Sequence, residues 1–226
     1  MFAWSKHKNH HVRRLASEGS RPRLPWAMAI PELKRNPKLI LPLLENLKRD
    51  LSEYVRRSVA NNLNDIAKDH PSMIIEIANK WSGISNETDA IIKHGSRTLL
   101  KQGNIEILKH FGLSNNSKLE VSALKIITPK VKTGNDLLFS FSVKNGSNKE
   151  QLIRLEYAIH YLRQNGQLSK KVFKISERTF KPNENTTITK KQSFRIITTR
   201  KFYKGQQKLS IILNGQERAF GEFILE

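Results

Sequence analysis

The sequence reads KHKNHHVRRLASEGSRPRLPWA from Lys6 to Ala27, and this stretch decides the organisation that we predict for the chain. Val12, Leu15 and Ala16 recur at helical spacing, which predicts a helix with one buried apolar stripe. Gly19 tolerates left-handed backbone geometry, so we expect the helix to end at this residue.

The same stretch combines three chemical groups that an ordinary surface helix does not need together. Arg13 and Arg14, a pair of guanidinium groups, stand beside the apolar stripe, one turn or less from Glu18. Pro22 and Pro25 then restrict the backbone, so that Trp26 is expected at a set distance from Glu18. The stretch therefore predicts a guanidinium pair, a carboxylate and a large aromatic face in one place.

The charge of the chain favours a polyanionic partner. The 226 residues carry a formal net charge of +20, with a pI near 10.3. The net charge is +8 up to Ser117 and +12 beyond it, so the charge does not come from one basic tail. Nucleic acid is the leading partner for such a field and an acidic membrane is the second. A protein that is merely soluble and basic is the third alternative.

Composition excludes several kinds of site. The sequence has no cysteine, which excludes disulfides and cysteine metal sites and agrees with a reducing cytoplasm. No apolar run approaches the roughly 20 residues of a membrane span, so we predict no membrane association. His7, His10 and His11 lack supporting ligands in the sequence, so we predict neither a metal nor another cofactor.

Residues 1 to about 113 have a helical pattern. In the helix from Ser52 to about Lys68, the residues predicted to be buried are Val55, Val59, Leu63 and Ile66. Phe2 and Trp4 are expected inside a packed helix, with further helices before them. Trp4 and Trp81 are expected in the core, and a position lining the groove is the alternative for Trp81. The other predicted helical runs are Pro31–Leu33, Pro37–Asp50 and Ser72–Trp81.

An internal repeat runs through this helical region. Val12-Arg13-Arg14 recurs 43 positions later as Val55-Arg56-Arg57, and Ile92-Lys93-His94 with Arg97 is a weaker third copy. A period near 40 with paired amphipathic helices is typical of HEAT-type solenoids. The second helices of such an array line a concave face, where their basic residues would meet a duplex.

The pattern changes to period two after a polar, turn-rich segment at Gly112–Lys118, where we place the domain boundary. Asn-Gly pairs at Asn145, Asn165 and Asn214 are hairpin signals. About seven strands then predict a β-sandwich over residues 118–226. The predicted strands are Val121–Val131, Leu137–Lys144, Leu152–Arg163, Lys170–Phe180, Thr186–Arg195, Lys208–Asn214 and Ala219–Leu225.

The motif VRRLASEGSRPRLPW, residues 12–26, closely resembles the signature of the AlkC branch of the AlkC/AlkD-type DNA glycosylases. The resemblance extends to about Leu113 and covers the β-rich remainder more loosely. It implies a HEAT-like α-solenoid (residues 1–113) followed by an immunoglobulin-like β-sandwich (residues 118–226), an α + β two-domain protein. It also implies excision of alkylated purines, and a further catalytic carboxylate upstream of the motif that this chain begins too late to contain.

The chemistry of such a reaction selects three candidate residues. When an alkylated purine leaves, the deoxyribose develops the charge of an oxocarbenium ion, which a carboxylate and an aromatic face would stabilise. The resemblance supports Glu18 and Trp26 in these roles. Asp65 matches an aspartate that the family has in the following repeat, and it lies off the centre of the buried stripe of its helix, so we expect it to face the groove. Taken singly, Glu18 would be a solvated helix-end carboxylate, Trp26 a core residue and Asp65 a surface aspartate. Asp69, at a helix end, is interpreted as structural.

Basic side chains on successive repeats are predicted to contact phosphates without reading sequence. On the helical region these are Arg14, Arg57, Lys93 and Arg97, with a solvated basic helix face as the alternative. In the β-rich region Lys170 and Lys171 form one of three basic pairs expected to contact the DNA backbone or minor groove. The other two pairs are Lys190-Lys191 and Arg200-Lys201.

The function that we predict is base-excision repair, by a monofunctional glycosylase that removes N-alkylated purines such as 3-methyladenine from duplex DNA. Glu18 and Asp65 would stabilise the sugar cation, Trp26 would pack on the sugar or lesion, and base flipping would not be required. We expect a cytoplasmic, nucleoid-associated monomer that binds double-stranded DNA with alkylated bases. A non-catalytic DNA-binding solenoid and a HEAT scaffold for acidic protein partners stay open as alternatives.

Overall fold

The structure, a computed structural model, describes residues 1–113, 118–198 and 200–226. The chain divides into two compact units, Met1–His110 and Phe111–Glu226. The first is helical and the second is built from β-strands, so the predicted α + β content is confirmed. The predicted boundary at Gly112–Lys118 falls partly on residues 114–117, which lie outside the described residues.

The described part of the first unit contains eight α-helices and two short 3-10 helices. The 3-10 helices are Ala3–Lys6 and Pro37–Ile40. The α-helices are α1 (His10–Glu18), α2 (Pro31–Arg35), α3 (Leu41–Leu47), α4 (Glu53–Ile66), α5 (Pro71–Trp81), α6 (Asn86–Gly95), α7 (Arg97–Gln102) and α8 (Ile105–His110). Over the ranges that the structure describes, no helix combines the length and the apolar character that crossing a membrane requires.

Helix α4 is the central element of this unit and packs against α1 and α6. Val55, Val59, Leu63 and Ile66 are all buried, which confirms the predicted stripe. Gly95 permits the close approach of α6, because a Cβ atom there would lie 2.9 Å from the Cβ of Leu63. Burial of this apolar face supplies the main stabilisation of the helical unit.

The repeated arginines make equivalent contacts. The Nη1 of Arg13 donates to the carbonyl oxygens five and six positions before it, both at 2.9 Å. Arg56 does the same, at 2.9 and 2.7 Å. Arg13 also bonds both carboxylate oxygens of Asp50, at 2.5 and 2.9 Å, and so connects α1 to the loop before α4. These contacts support a repeated unit, while the HEAT-like solenoid stays a prediction.

The burial predicted for α1 is wrong at Leu15, which is half exposed. The fully buried residues of this helix are Ala16 and Ser17. These small side chains let α1 approach α4 closely enough for Asn62 to donate to the backbone carbonyl of Ser17 at 3.0 Å. The buried stripe therefore follows the small residues, and Val12 is only partly covered.

Two predictions about aromatic residues have opposite outcomes. Trp81 is buried in the core, as predicted, and its Nε1 donates to Glu45 at 2.8 Å. Phe2 and Trp4 are about half exposed, so the prediction that they are packed inside a helix is wrong. Only a short 3-10 helix, Ala3–Lys6, carries Trp4, and it buries little apart from Ser5.

Gly19 ends α1, but the predicted left-handed geometry is wrong. Its φ is −74° and its ψ is −11°, an ordinary right-handed conformation. The glycine instead allows close packing, because a Cβ would lie 3.0 Å from the carbonyl oxygen of Leu15 and 3.1 Å from Met1. The chain then continues into a turn in which the hydroxyl of Ser20 donates to the carbonyl of Ala16 at 2.8 Å.

The second unit is a sandwich of two sheets, formed by eight strands among the residues that the structure describes. One sheet has the strand order β1-β3-β6 and the other β2-β8-β7-β4-β5, and only β2 and β8 pair in parallel. The strands are β1 (Leu119–Ile126), β2 (Lys130–Val131), β3 (Asp136–Asn145), β4 (Gln151–Leu162), β5 (Leu168–Phe180), β6 (Asn185–Ser193), β7 (Gly205–Leu213) and β8 (Gln216–Leu225).

Alternate residues of the strands fill the space between the sheets, as the period of two predicts. Phe139 and Phe141 of β3 are fully buried against residues of the other sheet, among them Leu155 of β4 and Ile211 of β7. The predicted run Val121–Val131 is two strands, because the chain changes sheet near a proline that cannot continue the ladder.

Two of the three Asn-Gly pairs form the predicted hairpins, between β4 and β5 at Asn165 and between β7 and β8 at Asn214. The pair at Asn145 does not, because β3 and β4 lie in different sheets. The side-chain amide of Asn145 instead donates to three carbonyl oxygens, including that of Lys181 at 3.0 Å. A buried side chain thus holds the crossover.

We predict that the Arg13–Asp50 pair makes the stability of the helical unit depend on acid pH. Burial raises the pKa of Asp50, but hydrogen bonds from Arg13 and the Ser52 amide outweigh it, so that the pKa is lowered. The contribution is complete above the ordinary value, about 3.9, and is lost as the pH falls through the lowered pKa.

Urea unfolding of the native protein and Asp50→Asn, followed by far-UV circular dichroism, checks this. The stability difference should be largest near neutral pH and should shrink at the acid end. Arg13→Gln removes the other member of the pair and should show the same loss of stability near neutral pH. A difference that grows as the pH falls would contradict the role given to the pair.

Candidate functional site

Glu18 is the last residue of α1, and its carboxylate lies at the seam with α4. Its Oε1 accepts a hydrogen bond from Arg21 at 2.6 Å, and its Oε2 accepts one from the Ser58 hydroxyl at 2.7 Å. Arg14 lies 3.5 Å from Oε2. With 15% of its side chain exposed, Glu18 is held by neighbours and is still open to solvent on one side.

Asp65 lies deeper than the sequence predicts. It was expected to face a groove, but its side chain is 2% exposed. Its Oδ2 lies 2.8 Å from both Nε and Nη2 of Arg21, and its Oδ1 accepts from Lys68 at 2.9 Å. The expected groove-facing position is therefore wrong, because two cations cover the carboxylate. A plain surface aspartate is equally excluded by this burial.

Arg21 connects the two carboxylates, and the sequence analysis did not select it. Its side chain is 13% exposed. Desolvation lowers the pKa of Arg21, but its hydrogen bonds to Asp65 and Glu18 outweigh this, and the pKa is raised. The only local signal in the sequence is the spacing of three from Glu18. The contact with Asp65, 44 positions away, depends on how α1 and α4 pack.

Trp26 lies on a loop whose two ends are joined by a backbone hydrogen bond. The loop is also bonded to Asp69, which lies just beyond the end of α4. The amide of Ile30 donates to the carbonyl of Pro22 at 3.0 Å, and Arg23 bonds both oxygens of Asp69 at 2.8 and 3.0 Å. Asp69 therefore has the structural contact predicted for it. Trp26 itself is fully exposed, with a positive φ of 63°, so the alternative of a core residue is excluded.

The exposure of Trp26 has a chemical meaning. An indole in water costs hydrophobic free energy that burial would recover. A non-glycine residue with positive φ is also uncommon and strained. Met28, two positions later, is exposed as well. The loop therefore presents apolar surface outward, as a site that meets a partner does.

Basic and polar side chains continue the site across neighbouring helices. Asn61 of α4 accepts hydrogen bonds from Arg97 at 3.2 Å and lies 3.1 Å from the Nε2 of His94. Burial lowers the pKa of His94, and the charges of Arg97 and Arg57 lower it further. Burial also lowers the pKa of Arg97, whereas the charge of Asp65 raises it. Charges on neighbouring helices therefore shift the pKa values of both His94 and Arg97.

The basic residues predicted to contact phosphates in the helical unit differ in their present partners and in their exposure. Arg14 lies over the ring of Tyr54 at 4.3 Å, with Glu18 on its other side. Arg57 is largely exposed and pairs with Glu53 at 2.7 Å, an exposed pair that a phosphate could replace at low cost. Lys93 is half-buried on α6. Their contacts with DNA stay predictions.

In the β-sandwich, one member of each predicted basic pair lines a single cleft of about 600 Å³. These members are Lys171, Lys191 and Arg200, and the cleft also contains Arg195. The guanidinium of Arg200 lies 4.3 Å from the ring centre of Tyr161, another cleft residue. Lys170 lies elsewhere, paired with Glu217 at 2.7 Å. Cations and aromatic rings therefore meet at one place in this unit.

Three histidines, His7, His10 and His11, lie near the start of the chain. In residues 1–113, 118–198 and 200–226, no group of three or more His, Cys, Asp or Glu side chains is placed to hold a metal ion. His10 and His11 instead contact each other and Tyr54 through their rings, with centroid distances of 4.1, 6.4 and 5.9 Å.

Comparison with known proteins places these features in a family context. Residues 120–226 match the family described as uncharacterised protein YhaZ, C-terminal Ig-like domain. The chain is 50% identical over 216 residues to the uncharacterized protein YhaZ of Bacillus subtilis (strain 168), a match that covers 96% of this chain and 60% of that protein.

A solved structure matches both units together. It is the Pseudomonas fluorescens alkylpurine DNA glycosylase AlkC bound to DNA containing an abasic site analog, with a TM-score of 0.95 and 37% identity. The chain is therefore similar to this glycosylase over nearly its whole length. The match covers 99% of this chain and 62% of that one, so the chain spans about three-fifths of these relatives. The resemblance and the Ig-like domain are confirmed.

We predict that Asp65, near the end of α4, and Asp69, just beyond it, differ sharply in their contribution to stability. Asp65→Asn removes a charge from a buried network and should destabilise the helical unit by about 3–5 kcal/mol. Asp69→Asn is the matched control, because its pair with Arg23 is about one-third exposed on both sides. It should cost about 0–1 kcal/mol.

Denaturant unfolding of the two variants and the native protein measures both values. Equal effects of Asp65→Asn and Asp69→Asn would show that burial of the Arg21 network contributes nothing beyond a surface ion pair.

Proposed function

We propose that the chain is an alkylpurine DNA glycosylase that hydrolyses the N-glycosidic bond of N-alkylated purines, and that its substrate is cationic 3-methyladenine, as the resemblance to this family implies. The observation that carries this proposal is that a carboxylate and an exposed indole lie eight positions apart in one segment beside α4. Glu18, which is partly open to solvent, ends α1 and bonds Ser58 of α4, and the fully exposed Trp26 follows on the loop after Arg21, which bonds Asp65 of α4. The likeness to AlkC supports the same reaction.

The proposed reaction needs no activation of the leaving group by the protein. The bond between C1′ and the purine nitrogen breaks, its electron pair stays with the base, and the positive charge of the alkylated purine is neutralised. The sugar becomes an oxocarbenium ion, to which a water molecule adds at C1′ with loss of one proton. The protein therefore contributes mainly by stabilising positive charge on the sugar.

Glu18 and Trp26 suit this task in different ways. The carboxylate of Glu18 would lie beside the cationic sugar and orient the attacking water. The indole of Trp26 would add cation–π attraction of about 0.5–2 kcal/mol. Asp65, being covered by Arg21 and Lys68, would act behind Glu18 through its charge and through Arg21 rather than by touching the sugar.

Binding would rest on phosphate contacts from both units. In the helical unit we assign them to Arg14, Arg57, Lys93 and Arg97, arranged as the second helices of a HEAT-like solenoid would arrange them. In the Ig-like domain we assign them to Lys171 and its cleft, with Lys170 as a further contact. Such contacts position duplex DNA and carry no sequence information. We propose that the protein acts on bacterial chromosomal DNA as a monomer and without a cofactor.

The test is base release from methylated duplex DNA under single-turnover conditions, with duplex affinity measured alongside. Glu18→Gln should reduce release by about 100-fold or more, because it removes the charge that stabilises the transition state. Trp26→Ala should reduce it roughly 2- to 30-fold. Duplex affinity should change little in either variant.

Matched controls are Glu76→Gln, an exposed glutamate of α5, and Trp4→Ala, a half-exposed tryptophan. Both should release base at the native rate. If Glu18→Gln also releases base at the native rate, the proposed role of Glu18 is wrong. Absence of release from the native chain, with duplex binding that falls steeply with salt, would favour a non-catalytic DNA-binding protein.

A further inference from the structure

The guanidinium of Arg21 uses both of its edges. The edge formed by Nε and Nη2 faces Asp65, with both nitrogens 2.8 Å from Oδ2. The Nη1 on the other edge donates to Oε1 of Glu18 at 2.6 Å. Because the guanidinium is planar and rigid, a side chain bound in this way fixes the distance and angle between its two partners.

The two partners belong to different helices. Glu18 ends α1, whereas Asp65 lies near the end of α4. Arg21 itself lies in the segment that leads into the Trp26 loop. One side chain therefore determines the position of a carboxylate relative to a second helix and to the start of the loop that carries the indole.

We propose that Arg21 is a positioning residue that holds Glu18 and the Trp26 loop in the geometry that the sugar cation requires. This inference rests on the proposed function for its chemical meaning. Its structural part, that Arg21 sets the position of the loop and of Glu18, stands on the contacts alone.

Each of the two carboxylates has another partner besides Arg21. Asp65 keeps Lys68 at 2.9 Å, and Glu18 keeps Ser58 at 2.7 Å. Substitution of Arg21 therefore leaves neither carboxylate without a partner, so the helices should still pack. Each carboxylate would then follow its remaining partner, and their common geometry would be lost. A displacement of about 1 Å can cost roughly 100-fold in rate.

Lysine cannot replace this arrangement. An ammonium group is a point charge on a flexible stem and has no pair of opposed edges. Arg21→Lys keeps the net charge of the site but not the two-sided contact. Arg23 provides a matched control, because it lies two positions later on the same loop and bonds one aspartate only.

The experiment compares Arg21→Lys, Arg21→Gln, Arg23→Lys and Arg23→Gln in the full chain. Hydrogen exchange of the peptide covering residues 20–30 reports the loop, and single-turnover base release with duplex affinity reports the reaction. We expect both Arg21 variants to exchange faster than the Arg23 variants in this peptide. Their base release should fall roughly 10- to 100-fold with nearly native duplex affinity, while the Arg23 variants should stay within a few-fold of native.

Chemical rescue by guanidinium ion distinguishes a positioning role of Arg21 from a merely structural one. Added guanidinium ion should restore part of the release of Arg21→Ala, measured at matched ionic strength, and should not help Glu18→Gln. Native release from Arg21→Gln, or equal losses at Arg21 and Arg23, would overturn the proposal. If the native chain releases no base, the proposed function fails, and native exchange of the loop in Arg21→Gln would then overturn the positioning role separately.

Discussion

The candidate site depends on one electrostatic constraint, which is that the guanidinium of Arg21 lies between two carboxylates from neighbouring helices. Moving ionised groups out of water is costly, and in these positions the charges of Glu18, Arg21 and Asp65 offset that cost for one another. This mutual dependence couples the end of α1 to α4. It also directs the chain into the loop that carries Trp26.

The proposed function requires acidic residues in a strongly basic protein, and the surrounding charge is compatible with both. A net charge of +20 would attract a duplex, and exposed side chains such as Arg57 would meet its phosphates. The carboxylates of the site are few and are held by cations. Positive potential would therefore bring DNA to the surface, while Glu18 supplies a local negative charge where a sugar cation would form.

Features that depend on local pattern could be predicted from the sequence. Alternation gave the strands of the sandwich, and the stripe from Val55 to Ile66 gave α4. The hairpins at Asn165 and Asn214 follow from turn chemistry that needs no distant partner. The pair at Asn145 has the same local chemistry, but the choice of sheet is made by long-range packing, and the hairpin prediction failed there.

In the candidate site, too, some residues follow from local pattern and others depend on long-range packing. Glu18 and Trp26 could be proposed from the sequence because they lie in one continuous motif. Arg21 lies in that motif too, but its importance comes from Asp65, which is 44 positions away. The depth of Asp65 was misjudged because helical periodicity gives a direction around the helix and says nothing of the side chains that cover it. Leu15 was misplaced for a related reason, since α4 packs against Ala16 and Ser17.

The central claim is that Glu18 recognises positive charge on the sugar. The most direct test is the ratio of affinities for two otherwise identical duplexes, one with a cationic pyrrolidine abasic analogue and one with a neutral tetrahydrofuran analogue. The native chain should prefer the cationic duplex by about 100-fold, and Glu18→Gln should lose that preference. Equal affinity of the native chain for the two duplexes would contradict the account.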